Sequence, residues 1–87
     1  MKQIEVTVTN KLGLHARPSA LLVKAATKYR SDFFIEKDGM RINGKSIMGV
    51  MMLAAECGSK IKLIADGVDE DYLLEEIKTM IESGFGE

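Results

Sequence analysis

Two rhythms alternate along this chain, a strand-like period of two and a helical period near 3.6. In "QIEVTVT" the residues Ile4, Val6 and Val8 alternate with Glu5, Thr7 and Thr9, as in a strand with one buried face. "ARPSALLVKAATKY" changes to helical spacing, with Leu21, Leu22, Ala25 and Tyr29 on one face and Lys24 and Lys28 on the other. "DFFIEK" and "MRINGK" follow as strands joined through "KDG", whose Asp38-Gly39 pair is a hairpin turn signal. "SIMGVMMLAAE" predicts a short helix that starts after Ser46 and stops before Gly58. "KIKLIA" alternates again, with Ile61, Leu63 and Ala65 inward and Lys60 and Lys62 on the solvent side. "DEDYLLEEIKTMIES" predicts a helix that buries Leu73, Leu74, Ile77 and Ile81. Its acids Asp69, Glu70 and Asp71 fall at the N-terminus, where the helix dipole favours them. The closing "GFGE" has no local signal that decides between fraying and packing back. The order β-α-β-β-α-β-α predicts an α+β fold, an open-faced sandwich with a four-stranded antiparallel sheet covered on one face by three helices.

Composition narrows the class. A chain of 87 residues suits one domain, residues 1–87, with a single two-layer core. Twelve basic residues against thirteen acidic ones leave a net charge of -1, which argues against a nucleic-acid binder built on neutralising phosphates. The single cysteine, Cys57, has no partner for an internal disulfide and no second thiol for a zinc site, which fits a reducing cytoplasm. Lying just before Gly58, it is expected to be small and partly buried. The N-terminus alternates instead of running apolar, so neither a signal peptide nor membrane insertion is expected.

The chemistry gathers in "NKLGLHARPSALLVKAA", which holds the only histidine and the only proline. Pro18 is pre-set for the first turn of a helix, because its φ is right and the N–H it lacks has no helical partner there. His15 then falls at or just before the N-cap, with Ala16 and Arg17 at the entry. The first N–H groups of a helix and the positive pole of its dipole form a site for anions. Arg17 adds a guanidinium fork that fits phosphate oxygens. The same field disfavours imidazolium, leaving a neutral ring as a nucleophile. Gly13 permits a turn that exposes that ring.

Plainer readings accompany these. A histidine at a helix start is commonly a cap or a packing residue, and an exposed arginine is commonly a solvated charge. No second ligand stands at metal spacing from His15, so no metal is expected, and no nucleophile-elbow signature supports a hydrolytic triad. Ser46 before "IMGVMML" reads first as an ordinary N-cap. Met48, Met51 and Met52 crowd one short helix with Ile47, Val50 and Leu53. That is more apolar surface than one buried face needs, so the surplus predicts an exposed patch able to meet several partners.

"GLHARPSA" resembles the active-site signature of the histidine-containing phosphocarrier (HPr) family of the bacterial phosphoenolpyruvate-dependent sugar phosphotransferase system. "KSIMGVMML" resembles the regulatory-serine region of the same family, in its low-GC Gram-positive form. The two segments stand in register, and the resemblance covers the whole chain. It implies a stoichiometric carrier, not an enzyme, that acts without a cofactor. His15 would accept a phosphoryl group on Nδ1 from phospho-enzyme I and pass it to IIA domains of sugar permeases, with Arg17 assisting and the backbone of Ala16 and Arg17 cradling the phosphate. It further implies ATP-dependent phosphorylation of Ser46 by HPr kinase/phosphorylase, acting in carbon catabolite control through a transcriptional regulator. The implied contact patch is Ile47, Met48 and Met51, extended by Ala20 and Lys24, on a chain expected to be monomeric. Ala54 stands where relatives commonly have glycine. The runners-up are a regulatory or nitrogen-branch paralogue, and a small phosphohydrolase. The latter is disfavoured because no water-activating carboxylate adjoins His15 in the sequence.

Overall fold

A computed structural model describes residues 1–86 of the chain. It contains β1 (Lys2–Thr7), α1 (Ala16–Ala26), β2 (Asp32–Lys37), β3 (Met40–Asn43), α2 (Ile47–Met52), β4 (Lys60–Asp66) and α3 (Glu70–Glu82), closing with a 3₁₀ turn at Gly84–Gly86. The strands form one antiparallel sheet in the order β1-β4-β2-β3. The expected α+β open-faced sandwich is thus the observed architecture.

Period-two alternation decides which face the helices cover. Val6 sits opposite Ile61, Ile35 opposite Leu63, and Phe33 opposite Ala65, and all are buried. Leu22 and Ala26 of α1, Val50 of α2, and Leu73, Ile77 and Ile81 of α3 close on them to form the core. Each of the Val, Leu, Ile and Phe side chains among them contributes about 1.5–3 kcal/mol when buried. The opposite face carries a row of alternating charge, Glu5, Lys62, Glu36 and Arg41, across the four strands. Lys62 and Arg41 both pair with Glu36, at 3.8 and 3.2 Å. Within that face Ile64 is nonetheless buried, lying opposite Phe34. Asp38 and Gly39 have φ of 51° and 84°, the double positive φ of a type I′ hairpin.

Three details depart from the expected elements. The helix predicted across "SIMGVMMLAAE" ends at Met52, because Ala54 turns left-handed (φ 50°) and directs the Ala55 carbonyl to the N–H of Leu14, 2.9 Å away. Helix α1 ends at Ala26, short of Tyr29, and its buried stripe is wider than expected. Pro18, Ser19, Leu22, Val23, Ala25 and Ala26 are buried whereas Leu21 is only half so, because the helix packs against α2 and α3 and its apolar side chains join the common core. Cys57 is exposed, since the turn before Gly58 keeps to the surface. At the C-terminus Gly84 and Phe85 pack back against the protein, whereas Glu87 lies outside the described residues.

The turn from α1 into β2 is tied to α3. The Tyr29 hydroxyl and the Lys28 ammonium both donate to Glu76, which Lys28 in particular holds below its ordinary pKa. Asp69, at the N-cap of α3, does not cap its own helix. Its carboxylate accepts from the Ser31 hydroxyl and from the backbone N–H groups of Arg30 and Ser31, each 2.9 Å away. These bonds, the Ser31 hydroxyl foremost, lower its pKa from 3.8 to about 2. A carboxyl depressed in the folded state stabilises above its unfolded pKa and loses that contribution as pH falls towards the folded one. The thermal midpoint of Asp69→Asn should therefore lie below that of the parent chain at pH 6, with the gap closing between pH 4 and 2. A gap independent of pH in melts across that range would contradict this role.

Candidate functional site

The loop between β1 and α1 sets the site. Asn10 is buried, and its side-chain amide donates to the carbonyl of Gly13 at 2.6 Å, while the Gly13 N–H donates to the Asn10 carbonyl at 3.1 Å. Gly13 has φ 69° and packs directly on the carbonyl of Ala55. Leu14 is buried and bonded to that same carbonyl. The Ser19 hydroxyl donates back to the Leu14 carbonyl at 2.9 Å, pinning the residue ahead of the histidine.

His15 is the N-cap of α1, in extended backbone conformation, as the position of Pro18 predicted. Its carbonyl accepts the first helical bond, from Ser19 at 2.9 Å, but its side chain makes no capping bond to the helix it starts. The capping interpretation of this histidine therefore has no support in the geometry. The ring is half-buried and its Nε2 is shielded from solvent. Ala16 and Arg17 are exposed, and no acidic residue occupies the first turn. The positive end of an eleven-residue helix, an arginine and an imidazole thus meet at one surface.

His15 opens into a shallow cleft of about 240 Å³ that it shares with Leu12, Leu14, Met51, Ala54, Ala55 and Glu56. Met51 is the one residue of the expected contact patch that the structure places in this cleft. Ile47 and Met48 lie exposed on the same helix, at 43% and 76%, whereas Val50 and Leu53 join the core. Ala20 and Lys24 are exposed on α1, in line with Ala16 at helical i,i+4 spacing. Two exposed apolar residues extend the implied contact set, the first already counted in the methionine surplus and the second not foreseen. Met52 is 65% exposed, and Leu12, in the loop before Gly13, is 71% exposed on the cleft itself. A large apolar residue next to a turn glycine, outside any periodic segment, was the signal for Leu12.

Ser46 is the N-cap of α2, and its Oγ accepts from the N–H of Gly49 at 3.1 Å. The plain capping role read from the sequence is therefore present. Among the described residues no group of three or more His, Cys, Asp or Glu side chains is placed to hold a metal, and no helix is long and apolar enough to cross a membrane.

The open-faced sandwich thus sets a half-buried histidine and an exposed arginine at the start of α1, beside a cleft rimmed by exposed apolar side chains. The chain matches the family model described as "PTS HPr component phosphorylation site" over residues 2–83. It is 45% identical to the phosphocarrier protein HPr of Treponema pallidum, over 94% of this chain and 93% of that one. It is 48% identical to the HPr-like protein Crh of Bacillus subtilis, over 94% and 96%. An HPr structure from Thermoanaerobacter tengcongensis superposes with a TM-score of 0.97 at 46% identity, covering 100% of this chain and 98% of that one. The chain belongs to the HPr family of phosphotransferase-system phosphocarriers.

Proposed function

We propose that this chain, acting as one domain and as a monomer in the cytoplasm, carries a phosphoryl group on His15 from phospho-enzyme I to IIA domains of sugar permeases. The observation that carries the reading is the placement of His15 as a non-capping N-cap at the N-terminal end of α1, beside Arg17. Because Nε2 is shielded, Nδ1 is the nitrogen assigned to attack. Its lone pair forms the N–P bond as the phosphorus–donor bond breaks, and the reverse occurs on delivery. Arg17 and the N–H groups of Ala16 and Arg17 hold the phosphoryl oxygens. The chain itself is a carrier and not a turnover catalyst. Ile47, Met48 and Met51, with Ala20 and Lys24, form the docking surface, an exposed apolar area suited to brief contacts.

Incubation with phosphoenolpyruvate and purified enzyme I, followed by intact-mass measurement, tests the reading. One acid-labile, alkali-stable phosphoryl group per chain is expected. Continuous release of inorganic phosphate would instead indicate the phosphohydrolase.

Ser46 is assigned a second role, as the site of ATP-dependent phosphorylation by HPr kinase/phosphorylase, read by a catabolite-control transcriptional regulator. Support comes from its position at a helix start, where a phosphate is tolerated, and from the likeness to Crh, a catabolite repression HPr. That likeness also keeps the regulatory paralogue as the alternative. Helices α1 and α2 pack together, so a dianion on Ser46 should repel the phosphoryl group entering at His15. Uptake from phospho-enzyme I by the Ser46-phosphorylated chain should be slower than by the parent chain. Equal rates would remove the inhibitory role.

A further inference from the structure

The cleft at His15 has in its lining an acidic residue for which phosphoryl transfer has no evident use. Glu56 lines it alongside His15 and Met51. The backbone of Glu56 is fixed at both ends of its peptide unit, donating from N–H to Ser59 Oγ at 3.0 Å and accepting at its carbonyl from the Ser59 N–H at 2.9 Å. Its Cα abuts the loop that carries His15, since a Cβ on Gly13 would stand only 2.9 Å from it. Among the described residues none forms an ion pair with its side chain, so its charge is not offset by a fixed cation.

A phosphoryl group on the ring is close to a dianion, and it arrives near Arg17 in the first turn of α1, which attracts it, and near Glu56 in the cleft lining, which repels it. We propose that Glu56 is a tuning residue that raises the free energy of the phosphorylated chain, making it a readier phosphoryl donor and a less complete acceptor. This rests on the His15 reading above. Glu56 forms and breaks no bond; the phosphorus–nitrogen bond is exchanged between partners as before, and the carboxylate acts only through its charge. Two such charges across a cleft of this size change an equilibrium by about threefold to tenfold at low ionic strength.

The test compares the parent chain, Glu56→Gln and Glu56→Asp at a fixed ratio of phosphoenolpyruvate to pyruvate with catalytic enzyme I, the phosphorylated fraction being read by intact mass. Glu56→Gln should raise the equilibrium constant for phosphorylation about threefold to tenfold, and Glu56→Asp should stay near the parent value. The difference should shrink towards unity in 1 M salt, which screens exposed charges. An unchanged equilibrium in Glu56→Gln, a shift that persists at high salt, or a change in rate alone would each overturn the proposal. Failure of the parent chain to take up any phosphoryl group would instead overturn the His15 reading on which it depends.

Discussion

His15→Ala should take up no phosphoryl group from phosphoenolpyruvate and enzyme I, while melting within a few degrees of the parent chain. The expected separation of activity from stability follows from how the residue is placed. Its backbone starts α1, but its side chain contributes no capping bond, so alanine removes no helix-closing interaction. The ring is only half-buried, and the residues that fix the loop are its neighbours Gly13, Leu14 and Ser19. The structural cost should therefore stay within about 1 kcal/mol. The chemical cost is total, because no other imidazole exists in the chain and the remaining groups at the helix end bind anions without attacking phosphorus. Intact mass after incubation settles the first half, and a thermal melt the second. An added phosphoryl group in His15→Ala would place the acceptor elsewhere and remove the central claim. A collapse of the melting temperature would show that the ring is a packing residue after all.

The fold was legible because its signals are local. Alternation in "QIEVTVT" and "KIKLIA", and helical spacing in the last third, each depend on a single element and survive assembly unchanged. The same holds for His15 as N-cap, since Pro18 fixes the helix start from within four residues. What the sequence did not show arises from contacts between distant segments. Helix α2 is shorter than its periodicity suggests because Ala55 is needed by Leu14, forty-one positions earlier in the chain. Leu12 and Glu56 become neighbours of His15 only once that contact has formed. Asp69 shows the same limit. Its position suggested service to the α3 dipole, whereas its carboxylate is spent on Arg30 and Ser31. Periodicity reports the face an element buries; it does not report which carbonyl a turn will need.

That one contact also predicts a strongly damaging small substitution. Gly13→Ala should lower stability by about 2–4 kcal/mol, and two independent causes add. The first is conformational. Gly13 sits at φ 69°, where an L residue is disfavoured by about 1–2 kcal/mol. The second is steric: the new Cβ would stand 2.3 Å from the Ala55 carbonyl oxygen and 2.9 Å from Glu56 Cα. Those are backbone atoms, and the oxygen is the acceptor of the Leu14 bond, so relief requires the loop to move and that bond to lengthen. Gly39→Ala is the control that separates the two causes. Gly39 has φ 84° but nothing within 4 Å of its Cβ position, so it carries the conformational cost alone. In a domain of this size 1 kcal/mol moves the melting temperature by about 4–8 °C. Gly13→Ala should thus melt roughly 10–25 °C below the parent chain and Gly39→Ala only several degrees below it. Equal shifts in the two variants would mean that the Ala55 contact yields easily, and that the loop beneath His15 is softer than its bonds imply. If the contact is as rigid as drawn, Gly13→Ala should also slow phosphoryl uptake at temperatures where it is still folded. Displacing the loop moves the ring, Leu12 and Glu56 relative to one another before the core gives way.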